Sequence, residues 1–167
     1  MASPVQLMRR MIETVRRDPA VLALAPDAKN SYRVGRLKDV TATENVLPII
    51  YSDLPNTYIH DRMPIGGVVR PGVSPREIVI YVIHMVCVAA PDAHTRTVQV
   101  DAYDLADAVM NSLLANINLT NADGGDPLAH DITVTATNRH MPRAGTQIEG
   151  ITVMCHVSTT EDHSRSA

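Results

Sequence analysis

Between Glu77 and Ala90 the chain reads EIVIYVIHMVCVAA, a run that is apolar in both registers of a strand. Side chains alternate across a pleated strand, so Ile78, Ile80, Val82, Val86 and Val88 share one face while Val79, Tyr81, Ile83, Met85 and Cys87 share the other. Such a strand needs cover on both sides. Helices supply one cover, and a neighbouring subunit is the natural candidate for the other.

The remaining pattern predicts the elements around this strand. Ser3 followed by Pro4 suits a helix start, with Val5, Met8, Met11, Ile12 and Val15 recurring at helical spacing until Asp18-Pro19 ends the pattern. Ala20 to Ala25 is a short apolar patch that either completes a helix pair or forms a second short helix, and a weak strand is expected around Tyr32 to Leu37. Val46 to Tyr51 reads as a strand whose Pro48 favours an edge or the strand's first residues. From Ser52 to Arg76 the chain is rich in Pro and Gly; joining two apolar strands, this segment predicts a protruding hairpin arm.

Thr97 to Asn118 carries the clearest helical stripe, marked by Leu105, Val109, Leu113 and Ile117, with Asp101, Asp104 and Asp107 on its polar side. Ile132, Val134 and Ala136 then alternate with Thr133, Thr135 and Thr137, predicting a half-buried strand with a wet threonine face and a turn or hairpin loop over Asn138 to Gly150. A last strand spans Gly150 to Thr159, with Ile151, Val153, Cys155 and Val157 on one face, and residues 161–167 read as a flexible tail. This order predicts one α+β domain over residues 1–167: a mainly antiparallel sheet of about four or five strands, two main helices packed on one face, and a long Pro/Gly-rich arm at 52–76.

Composition narrows the function classes. The chain has neither Phe nor Trp, and its five Tyr are the only aromatics, which disfavours a ring-stacking ligand site. A formal charge of −3 does not suit a broad nucleic-acid surface. The first residues interrupt their apolar pattern with Arg9 and Arg10 and do not read as a signal peptide, and no run is long enough to span a bilayer. Cys87 and Cys155 lie in apolar runs and are expected to be buried and reduced, in a cytoplasm-like compartment.

No catalytic spacing is present: there is no phosphate-binding glycine-lysine loop, no nucleophile elbow, no paired-cysteine motif and no zinc-protease helix. The acids at 101, 104 and 107 suit the positive end of a helix, which explains them without a metal. The seven histidines form no close pair in sequence; His84 and His156 lie within strands and face each other if those strands pair. No catalytic, metal or cofactor-binding residue is therefore assigned. Arg9, Arg10, Arg16 and Arg17 on the first helix, Asp101, Asp104 and Asp107 on the second, and Arg62 and Arg70 in the arm are the candidate subunit and partner contacts.

The opening helix ending RRDPAVLAL, the strand VLPIIYSD, the long strand REIVIYVIHMVCVAA, the helix DAYDLADAVMNSLLANI and the closing strand EGITVMCHVSTT together resemble the tail terminator, or tail-completion, proteins of long-tailed bacteriophages. The Ser52 to Arg76 segment is longer and richer in Pro and Gly than a minimal member needs. The resemblance implies a non-enzymatic ring, commonly a hexamer, that caps the tail tube, meets the head connector or stopper protein, and works in the virion neck after assembly in the host cytoplasm. It further implies partners that are copies of itself and the tail tube protein, weak non-specific contact with passing DNA, no membrane and no cofactor. The alternatives are another connector, stopper or tail-tube protein, and, from a different class, a small ligand-binding or regulatory domain.

Overall fold

The computed structural model describes residues 2–35, 47–65, 76–89, 101–120, 124–125, 127–140 and 148–162, with the backbone alone at 161–162. Helix α1 spans Pro4–Arg17 and opens on a reciprocal cap: the Gln6 amide donates to the Ser3 hydroxyl at 3.2 Å and the Ser3 amide donates to the Gln6 side chain at 2.9 Å. Its inward face is Leu7, Met8, Met11, Ile12 and Val15, whereas Val5, counted in the apolar stripe from its spacing, points outward and is 46% exposed. Asp18 closes α1 and its carboxylate accepts the Ala20 amide at 2.9 Å, so the short apolar patch becomes a second helix, α2, over Pro19–Leu24.

Six strands make up the sheet among the described residues: β1 (Tyr32–Val34), β2 (Ile49–Asp53), β3 (Ile59–Ile65), β4 (Arg76–Ala89), β5 (Asp131–His140) and β6 (Glu149–Asp162). Their order is β1-β2-β4-β6-β5, with β3 also paired to β4. All pairings are antiparallel except β1 with β2, which run parallel. The α+β class stands, with a mixed, mostly antiparallel sheet; β1 is the weak strand expected from Tyr32, and β3 takes the strand count one above the expected range. β2 is not an edge strand: Pro48 sits just ahead of it, so the ladder loses no donor.

Helix α3 (Ala102–Ala115) is capped by Asp101, whose carboxylate accepts the Tyr103 amide at 2.8 Å. It ends before Asn118 because Asn116 takes the C-cap, and residues 97–100 lie outside the described residues. All three helices and one face of the sheet enclose the main core, where Leu7, Met11, Ile83, Met85, Leu105 and Leu113 are fully buried. Each such side chain contributes about 1.5–3 kcal/mol of hydrophobic stabilisation.

Two strand expectations change. In β5 the register slips between Val134 and Ala136, so Thr137 and Arg139 oppose the core residues Val153 and Ile151, while Ala136 and Asn138 fall on the opposite face. The strand runs on to His140, into what the Pro and Gly content of 138–150 marked as loop. The backbone of β6 likewise continues through Glu161 and Asp162, the start of the expected tail, because it pairs with Arg76 and Glu77 of β4. Residues 163–167 lie outside the described residues.

Candidate functional site

β4 has partners on both edges, and its two faces differ. Toward the helices, Val79, Tyr81, Ile83, Met85, Cys87 and Ala89 are all buried. On the opposite face Val86 and Val88 are covered by Leu47, Ile49 and Ile148, with Tyr51 packed beside them. Ile78, Ile80, Val82 and His84 on that face are only half-buried. The chain thus covers the C-terminal end of its doubly apolar strand and leaves the N-terminal half partly open.

Along that half, β3 lies on one edge of β4 and the last residues of β6 on the other. Every β3 residue is exposed, and Tyr58, Ile59, Met63 and Ile65 present apolar surface. Where β3 begins, the Val82 amide donates to the Tyr58 carbonyl at 2.6 Å, and rings pack on both faces of the sheet. The Tyr58 ring stacks on buried Tyr81 with centroids 6.4 Å apart, toward the helices. The register then shifts between Ile59 and Asp61, and His60, the residue between them, lies with its ring 4.4 Å from that of His156 on the open face.

His84 and His156 do share that face, as their strand pairing requires, but they are not opposite each other: His156 faces Val82 and His84 faces Met154. Burial holds the His84 imidazole below the usual histidine range, with the Asp53 carboxylate opposing it, and Nε2 has no hydrogen-bond partner among the described residues. Burial and the charge of His60 likewise lower His156. Among the described residues no group of three or more His, Cys, Asp or Glu is placed to hold a metal ion.

The candidate contact residues divide into two kinds. Arg10 lies 3.7 Å from Glu13 and donates to the Leu119 carbonyl at 2.9 Å; Arg17 donates to the Glu13 and Thr120 carbonyls at 3.2 and 3.3 Å. These two tie α1 to the segment after α3, contacts within the chain that helical spacing does not report. Arg9 and Arg16 are exposed. On α3, Asp101 is the cap, and Asp104 and Asp107 are exposed, Asp107 lining a cleft of about 190 Å³ with Tyr103, Met110 and Arg139. Arg139 pairs with Glu149 and stands 5.6 Å over the Tyr103 ring. Arg62 pairs with Glu77 across the β3–β4 ladder at 3.3 Å, and Arg70 lies outside the described residues. No sequence signal distinguishes His60 from the other histidines, because only the β3 register brings it to His156.

No family model matches the chain, and no curated protein matches it. Among solved structures, the fold is similar to a chain of the virion of a native gene transfer agent particle, with a TM-score of 0.50 and 12% identity, over 96% of this chain and 100% of that one. No helix among the described residues is long and apolar enough to cross a membrane.

Proposed function

We propose that this protein is a structural component of a phage-like virion, without enzymatic activity, and that it forms a ring which caps the tail tube and joins it to the head connector. The observation that carries the reading is the likeness of fold, over nearly its whole length, to a chain of a gene transfer agent virion. The half-covered face of β4 and the exposed β3 strand support it, since a subunit in a closed ring needs surface to bury against its neighbours. Exposed Arg9 and Arg16 on α1 and exposed Asp104 and Asp107 on α3 offer opposite charges for successive subunits. The partners on this reading are further copies of the chain, the tail tube protein and the connector or stopper.

Light scattering after size exclusion tests it. A closed oligomer that comes apart as ionic strength rises, and that the double reversal Arg9→Glu with Arg16→Glu weakens, is the expected result. A strict monomer at every salt and protein concentration returns the chain to the ligand-binding class. Deletion of residues 56–72 is expected to leave a folded domain that assembles poorly. Loss of folding would instead make that segment part of the core.

A further inference from the structure

The start of β3 is the place where the hairpin joins the body of the sheet, and what secures it there is unusual in having two titratable rings in contact. β3 reaches β4 through the Tyr58 carbonyl, which accepts the Val82 amide, and the displaced register then sets His60 against His156 across the width of β4. Neutral imidazoles stack with little electrostatic cost, but two imidazolium ions at a ring separation of 4.4 Å repel each other.

The surrounding charges do little to relieve that repulsion. On β3 the Asp61 carboxylate accepts its neighbour's amide, from Arg62, at 2.7 Å. On β2 the Asp53 carboxylate accepts the Leu54 amide at 2.9 Å and acts on His84, which β4 contributes to this face together with Arg76 at its far end, six residues before Val82. β5 places uncharged Thr133 opposite His156, with Asp131 further along the ladder opposite Ser158 and His140 at its far end opposite Gly150. The helices lie on the other face of the sheet.

We propose that the His60–His156 contact is an acid-opened latch: with both rings neutral it holds the root of the β3–β4 hairpin on the sheet, and protonation of the pair frees β3 where it begins. The direction follows from linkage. His156 is held below the ordinary histidine value by burial and by the charge of His60, so the docked state binds fewer protons than the released one. Docking is therefore complete above the usual histidine range and weakens as pH falls through it. The loss levels off below the depressed docked-state value.

Hydrogen exchange followed by NMR, with rates corrected for intrinsic exchange, reads this at the Val82 amide, which reports the bond to Tyr58. Between about pH 7.5 and about pH 5 its protection is expected to fall about tenfold or more, well beyond any fall in the β4–β6 ladder amides, which follow the stability of the whole fold. His156→Gln, and independently the exposed-strand change His60→Gln, are expected to remove that pH dependence. Equal Val82 protection at both pH values overturns the latch, as does a fall of the same size in the glutamine variants. A parallel fall in every strand amide also overturns it, since that is global unfolding and not release of the hairpin.

Discussion

The guanidinium of Arg10 donates a hydrogen bond to the carbonyl oxygen of Leu119, joining the first helix to the turn that follows the third. Leu119 is fully buried and has a φ of 47°, a backbone conformation uncommon for a residue with a side chain. Its apolar side chain is in the core while its carbonyl is directed at a cation, and both contacts hold the chain in that conformation. Arg10→Met keeps the apolar stem and deletes the donor, so a loss of about 1–2 kcal/mol is expected in urea denaturation. Stability equal to the parent protein would mean that water serves the carbonyl equally well.

Tyr81 sits under Tyr58 and is itself only 3% exposed, in a chain that has no Phe or Trp to build around. Tyr81→Ala is expected to cost about 3–5 kcal/mol, the range for emptying a large buried site. Tyr58→Ala, which removes only the outer ring, should cost about 1 kcal/mol or less. Chemical denaturation of the two variants separates them; equal losses would place Tyr58 in the core proper.

The acid response of the whole fold has a second source in His84. Burial opposes the charge on its imidazole, against the pull of the Asp53 carboxylate, so the unfolded chain takes up the proton more readily than the folded one. Stability should therefore be constant above the ordinary histidine range and decline as pH drops through it. His84→Leu places an apolar side chain between Val82 and Val86 on the same face and is expected to flatten that decline. Thermal melts at about pH 7 and about pH 5 check it, and an unchanged slope in the variant would remove His84 as the cause.

Both cysteines face the core. Burial, with a further contribution from the charge of Cys155, pushes the Cys87 thiol far above its usual range, and burial pushes Cys155 up to about 12. Neither should react with a thiol-directed disulfide reagent at neutral pH until the protein is denatured, when both should react. Rapid native labelling of either would contradict the burial. No bond joins them: Cys87 opposes Ile151 and Cys155 opposes Ile83, four residues apart in register and roughly 13 Å along the strands.

What sequence reveals here depends on whether a signal is local. The Ser3-Pro4 cap, the Asp18-Pro19 break and the two-sided apolar strand each follow from a few adjacent residues, and each is realised. β3 reads poorly because IHDRMPI alternates weakly and contains a proline; as an exposed strand it needs no apolar stripe. The β5 bulge is equally hidden, since Thr133, Thr135 and Thr137 suggest one continuous wet face until the pairing with β6 puts Thr137 opposite Val153. The parallel β1–β2 contact and the inward bonds of Arg10 and Arg17 join residues far apart in the chain, which no local pattern reports.

β4 is paired with β6 along its whole length, from Arg76 at the hairpin to Ala89, and its last four residues are buried on both faces. A pull on the far end of the hairpin therefore loads the central ladder in shear, where many bonds must fail together, and is carried into the best-protected part of the molecule. β3 alone can be peeled away one pair at a time. Whatever grips this end is mechanically anchored to the protein's interior, even when the strand beside it has let go.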